Sequence, residues 1–414
     1  MQDTKKSTRN AFIRGMLIGI LVSLVILAFT RIGEGQYGAS GIPIPDEVSL
    51  QPDSAVNEDM IAKLQALEQT INDYYYLNEV TVEDYQTGVY KGMVLGLGDI
   101  YSEYYTEEEI NDLLEQIEGT FYGVGAYISL DTATGLPKIS GVIKGAPAEE
   151  VGLRANDIIY EVDGVSTYGL SLTEVVSMIK GAEGTEVHLT IVRTGEDDYL
   201  DIYVTRREVE TPTIEYKMME DKMAYILINE FDEVTVSQFE EALAQARQEG
   251  MEGVIFDVRA NPGGSLDAVV NMLRRILPAG DIVSTKDKYG EGQVYTCDGK
   301  NQIDVPVVLL IDMNSASAAE IFAAAIKEYE IGTLVGTTTF GKGIVQQIIP
   351  FADGTAVKLT VSSYYTPLGN DIHGVGVEPH ILCEFDGEAY YDSEDPFDNQ
   401  LEKAKEVLRD LMKQ

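Results

Sequence analysis

Three apolar runs in the second half of the chain, AYILI (residues 224–228), GVIFDV (253–258) and PVVLLI (306–311), constrain its fold most. Each is followed by a segment whose apolar residues recur at helical spacing. Short apolar runs read as strands and the longer periodic segments as helices, so their alternation indicates an α/β core from residue 209 onward. An amphipathic segment, NQLEKAKEVLRDLM (399–412), closes that core as a docked helix. Between residues 119 and 208 the period shortens. KISGVI, DIIYEV, EVHLTIVR and YLDIYVTRR read as strands divided by turns, with one helix at LSLTEVVSMI, which makes a β-rich module. Residues 59–118 return to helical spacing, with Thr106 as an N-cap before TEEEINDLLEQI. That helical segment could be a lid, a homodimer surface or simple packing.

The N-terminus carries a different signal. Lys5, Lys6, Arg9 and Arg14 precede an apolar run over residues 15–30, and Arg31 closes it. A retained single-pass membrane anchor and a cleaved secretory signal both fit such a run. No A-x-A site follows it, so residues 1–31 are read as a cytoplasmic tail and transmembrane anchor. Basic flanks stay inside, which places the rest of the chain on the extracytoplasmic side of the cell membrane. Residues 32–58, rich in Gly, Pro and Ser, read as a linker. Beyond residue 31 the chain holds 25 Lys and Arg against 68 Asp and Glu, a net charge of −43. Such a surface repels nucleic acid, which is excluded as a partner.

Two segments carry candidate chemistry. NSASAAEIFAAAI (314–326) places Ser317 at a helix N-terminus, where unpaired amides stabilise negative charge. Ser315 is the competing nucleophile. Ser317 and Glu320 also match a capping box, in which the hydroxyl only satisfies the helix. TFGKGIVQQ (339–347) sets Lys342 between two glycines, 25 positions after Ser317. With Gly336 and Gly341 it nearly spells a phosphate-binding loop, but Gly343 stands where that loop needs Ser or Thr for magnesium. A neutral lysine can activate a serine, and burial can bring its pKa down from its ordinary value of about 10.4. Gln346 could orient the amine without adding charge. Gly263 and Gly264, after GVIFDV, could turn amides into a cleft as an oxyanion hole requires.

His188, His373 and His380 lie in no triad context, and no His, Cys or carboxylate cluster has metal-ligand spacing, so neither metal nor cofactor is expected. Cys297 and Cys383 leave pairing undecided. In the β-rich module, Tyr122, Gly123, Val124, Gly125 and Ala126 form a glycine-flanked loop that could receive a peptide carboxylate.

Taken together, KGMVLGLGDIYSEYYTEEE (91–109), GTFYGVGAYI (119–128), GAPAEEVGLRANDII (145–159), VRANPGGSL (258–266), NSASAAEIFAAAI, TFGKGIVQQ and YYTPLGNDIHGVGVEP (364–379) resemble the C-terminal processing peptidases, in that family's order. The resemblance implies a PDZ module over residues 119–208 beside a serine-peptidase core over residues 209–414, and a protein or peptide substrate with an accessible C-terminal tail. It implies Ser317 as nucleophile, Lys342 as base, Gln346 as its orienting residue, and Ala318 with Gly263 or Gly264 as oxyanion donors. Residues 122–126 would take the substrate carboxylate, and Lys180 or Arg154 would couple the PDZ module to the core. An inert PDZ scaffold that binds C-terminal peptides is the alternative. The chain departs from the family at Ile100, usually proline, at Ala319, commonly serine, and at His380, usually aspartate.

Overall fold

The computed structural model describes residues 41–44, 54–132, 134–391 and 397–413. The anchor expected over residues 1–31 lies outside the described residues. Among those described, no helix is long and apolar enough to cross a membrane.

The apolar runs form the middle of a six-stranded sheet. Its order is Ile214–Met218, Met223–Ile228, Gly253–Asp257, Val307–Ile311, Gly332–Gly336 and Ile381–Leu382, antiparallel at the first pair and parallel thereafter. Side chains alternate across a sheet, and here both faces are covered. Val254, Phe256, Val307 and Leu309 enter the main core, with the helices Glu233–Gln248, Leu266–Leu273 and Ala318–Glu328. Ile255, Val308 and Leu310 point the other way, onto Ala404 and Leu408 of the helix Asn399–Leu411. The absence of polar alternation in the runs follows from this double coverage.

Arg259 locks the C-terminal helix to the sheet. Its guanidinium donates to Asp257 at 2.6 Å, to Asp398 at 2.8 Å and to Gln400 at 3.0 Å. Asp398 in turn caps that helix by accepting from the Leu401 amide at 2.9 Å.

A second sheet, antiparallel throughout, was not legible in the chain. Ala356–Tyr365 is its spine, pairing with Glu103–Tyr105, Gly280–Asp287 and Ile344–Pro350, and Val294–Cys297 completes it. The region read as wholly helical therefore contributes a strand, Glu103–Tyr105, between the helices Val82–Leu95 and Glu107–Glu118. The latter helix buries Ile110, Leu113 and Ile117. The helices Glu58–Tyr74 and Val82–Leu95 have no fully buried residue among the described residues.

The β-rich module has its own core and a six-stranded sheet with Ala126–Leu130 at one edge. The helix Leu172–Ile179 packs beside that edge strand. The ribbon of Thr120–Gly123 and Arg207–Glu210 joins the module to the body. Lys180 adds an ion pair to Glu115 at 2.6 Å and another to Asp112 at 3.4 Å. Arg154 makes no ion pair among the described residues, its amide donating instead to Asp157 at 2.8 Å.

Replacing Arg259 leaves Asp257, which is 1% exposed, without its cation. Arg259→Met is expected to cost roughly 3–5 kcal/mol, read as an earlier midpoint in a urea titration followed by circular dichroism.

Candidate active site

Ser317 sits at the junction of the loop after Val307–Ile311 and the helix Ala318–Glu328, with φ 63° and ψ −113°. That conformation is strained for a side chain with a Cβ, and the packing around it maintains the strain. The Ala316 amide donates to the Asn261 carbonyl at 3.0 Å, and the Tyr364 hydroxyl donates to the Ser317 carbonyl at 3.1 Å. The amide of Glu320 takes the Ser317 carbonyl at 2.8 Å. The hydroxyl makes no capping hydrogen bond: Ser317 Oγ is buried and has no hydrogen-bond partner among the described residues. Ser315 differs. Its Oγ donates to the Val258 carbonyl at 2.7 Å and accepts from the Asp312 amide at 2.9 Å, so it holds the loop.

The Glu320 carboxylate, fully buried, gathers donors from both candidate segments. It accepts from the Ser317 amide at 2.8 Å, the Lys342 amide at 2.7 Å, the Gly341 amide at 2.7 Å and the Thr339 hydroxyl at 2.6 Å. Sequence reading saw Glu320 only as half of a capping box. Its longer role depends on contacts 19 to 22 residues away.

Lys342 is also fully buried. Burial pushes its amine down to about 7, helped by the neighbouring Lys358 and opposed by Asp99 and Glu320. Its Nζ lies 4.5 Å from the centre of the Tyr101 ring. Gln346 is buried on the next strand, where its Nε2 donates to Thr360 Oγ1 at 3.3 Å and its Oε1 has no hydrogen-bond partner among the described residues. Asp99, Tyr101, Lys358 and Thr360 were missed by sequence reading. The GLGDIYSEYY string held the first two, but nothing in it named a partner more than 200 residues away.

Gly263 and Gly264 have φ 109° and 138°, in the region that favours glycine. A Cβ on Gly263 would lie 2.8 Å from Ser317 Cβ, and one on Gly264 would lie 2.4 Å from the Phe231 carbonyl oxygen. The Gly263 amide donates to Asn261 Oδ1 at 2.8 Å. The amides of Gly264 and Ala318 have no hydrogen-bond partner among the described residues. Beside them opens a cavity of about 190 Å³, whose lining includes both glycines, Glu230 and Asp232.

Residues 122–126 lie apart from this centre. Tyr122 and Gly123 end the joining ribbon, and Ala126 opens the edge strand. Carbonyls of Val124 and Gly125 accept from Ala148 at 2.7 Å and Ile143 at 2.9 Å, while their amides have no partner among the described residues. The histidines serve elsewhere: His188 meets Asp201 at 2.8 Å, and His380 Nδ1 accepts the Leu334 amide at 2.9 Å. His373 Nδ1 accepts the Gly343 amide at 3.4 Å. Cys297 and Cys383 are free thiols. Ile100 is exposed and Ala319 is buried.

Burial, then the neighbouring Glu230, holds the Asp232 carboxyl protonated up to about 8. In the unfolded chain it ionises near 3.8. Over the window from about 4 to 8 the native state keeps a proton that the unfolded state releases, so this group's contribution falls as pH rises. Asp232→Asn is expected to raise the melting temperature at pH 9 and leave it nearly unchanged at pH 4. Scanning fluorimetry with an extrinsic dye across that range checks it.

The PDZ-domain family model matches residues 138–193, and the model of peptidase family S41 matches residues 222–383. The chain is 32% identical over 389 residues to a Staphylococcus saprophyticus protein named "Probable CtpA-like serine protease", covering 92% of this chain and 76% of that one. A Staphylococcus aureus protein of the same name is 31% identical over 393 residues, covering 92% and 75%. A crystal structure assigned to an S41 protease of Bacteroides fragilis shares the fold, with a TM-score of 0.50 and 19% identity over 89% of this chain and 99% of that one. The chain belongs to peptidase family S41, the C-terminal processing serine peptidases that its motifs resemble, and it carries a PDZ domain.

Proposed function

We propose that this peptidase hydrolyses peptide bonds with Ser317 as nucleophile and Lys342 as general base, after its PDZ domain has captured the substrate's C-terminal tail. One observation carries the reading: a buried serine whose hydroxyl has no partner among the described residues and a buried lysine brought down to about 7 are tied through their backbone amides to the same carboxylate, Glu320.

In this mechanism Lys342 Nζ takes the Ser317 proton as Oγ bonds to the scissile carbonyl carbon. The oxyanion is held by the Ala318 and Gly264 amides, because the Gly263 amide is already committed to Asn261. As the C–N bond breaks, Lys342 returns the proton to the leaving amine. Water, deprotonated by the same amine, then hydrolyses the acyl-enzyme and restores Ser317.

For tail recognition, the Val124 and Gly125 amides would receive the terminal carboxylate, and the peptide would extend along the open edge of Ala126–Leu130 beside Leu172–Ile179. Lys180, linked to Glu115 and Asp112, is the favoured cation for communication with the core. An anchor over residues 1–31 would hold the enzyme at the cell membrane, facing outward. The helices Glu58–Tyr74 and Val82–Leu95 have no fully buried residue among the described residues and would supply a homodimer surface.

Ser317→Ala and Lys342→Ala are each expected to lower kcat by roughly 10³-fold or more on an unstructured protein substrate, whereas Ser315→Ala keeps the nucleophile. Retained cleavage by Ser317→Ala would sink the reading. Because the amine must be neutral to accept a proton, kcat/KM should rise with pH and level off above about 7. Amidating the substrate's C-terminus should raise KM about tenfold with kcat unchanged; identical kinetics for acid and amide would refute carboxylate capture.

A further inference from the structure

The segment that precedes the PDZ domain, residues 59–118, forms an arm whose turn at residues 99–102 reaches the centre of the peptidase. Asp99 Oδ2 accepts from Thr360 Oγ1 at 2.6 Å and from Ser102 Oγ at 2.6 Å, and its Oδ1 accepts the Tyr101 amide at 3.0 Å. Ser102 Oγ also accepts the Thr360 amide at 3.1 Å. Two residues on, Tyr101 lays its ring over the Lys342 amine. The segment is held there by the pairing of Glu103–Tyr105 with the strand that bears Thr360, and by a hydrogen bond from Lys358 to the Tyr105 hydroxyl.

Hydrogen-bond polarity gives this chain of contacts a direction. An ionised carboxylate only accepts, so Thr360 must spend its one proton on Asp99. Its oxygen then accepts, and Gln346, directly opposite it in the ladder, must present its Nε2 to it. An amide with its nitrogen so committed has its oxygen at the other end. That oxygen, Gln346 Oε1, is buried and has no hydrogen-bond partner among the described residues. A buried acceptor is costly without a donor, and the amine four residues earlier in the chain is one. A register shift between Val345 and Gln346 sets Gln346 opposite Thr360.

We propose that Asp99 is a positioning residue for the catalytic base: through Thr360 it fixes the Gln346 amide so that oxygen, not nitrogen, is offered to the Lys342 amine. With one N–H of the neutral amine given to that oxygen, its lone pair is left for the serine proton. The arm is then part of the active centre, and any movement of the arm is felt at the base. The inference rests on the Ser317–Lys342 reading.

Among the described residues, the charged and titratable groups around the amine come from four elements. Glu320 lies on the Ala318–Glu328 helix, Lys358 on the Ala356–Tyr365 strand, and Asp99 and Tyr101 on the arm; His373 stands behind Gly343. Asp99 and Glu320 raise the amine's proton affinity, and Lys358 lowers it. Removing the Asp99 charge therefore shifts the base in a known direction.

The test compares wild type, Asp99→Asn, Thr360→Val, Thr360→Ser and Lys342→Ala on one unstructured protein substrate, with kcat and KM measured from pH 5 to 9. Asp99→Asn is expected to lower kcat about tenfold at unchanged KM and to move the acid limb of kcat/KM down by about one pH unit. Thr360→Val should lower kcat similarly, and Thr360→Ser should restore it. If Asp99→Asn does not fold, the Thr360 pair decides by itself. An unmoved acid limb with wild-type kcat in Asp99→Asn, or equal rates for Thr360→Val and Thr360→Ser, overturns the inference. Full activity in Lys342→Ala overturns the underlying Ser–Lys reading instead, so the two failures are distinguishable.

Discussion

The arrangement of the site depends on the Glu320 carboxylate. A carboxylate removed from water is costly unless donors replace its hydration. Glu320 has four donors, one from the serine loop and three from the segment that bears Lys342. Separating the two segments would strip the carboxylate of its partners within the core, so they are held as one body. The same contact decides the state of Ser317. Its amide goes to Glu320 and its carbonyl to the helix, which leaves the hydroxyl with nothing to cap.

Burial sets the protonation of Lys342. The lysine lies beneath the Ala318–Glu328 helix, the antiparallel sheet and the arm, where water cannot stabilise an ammonium. Two carboxylates nearby would make it an ordinary ammonium in a wetter place. Desolvation and the like charge of Lys358 outweigh them, and the result lies close to neutral pH. Strain accompanies this arrangement: Ser317 holds a positive φ, and Gly263 approaches it so closely that a side chain there would collide with Ser317 Cβ. Such geometry persists only where the surrounding packing determines it completely.

Much of the fold was legible because its signals are local. Apolar runs, helical periods and the Thr106 cap mark elements that the structure contains, including Glu107–Glu118 with a complete capping box. The antiparallel sheet was not legible. Glu103–Tyr105 is three residues long, too short for a period, and its partner lies some 250 positions away. The site divides in the same manner. Ser317 and Lys342 stand in strings with recognisable chemistry, and Gly263 and Gly264 in another. Asp99, Tyr101, Lys358 and Thr360 sit in strings that carry no chemical pattern, and folding alone brings them to the amine.

The chain by itself determined which groups are available: two serines, one lysine between glycines, a glutamine, a glycine pair and a family order of motifs. Sequence spacing could not choose between a capping hydroxyl and an unpartnered one, or between Gly263 and Gly264 as the spare amide. Those choices belong to the tertiary structure, because hydrogen-bond partners and desolvation are set by atoms distant in sequence. Glu320 shows the difference most clearly: its place three residues after Ser317 suggests a cap, and only the folded chain makes it the link between serine and lysine.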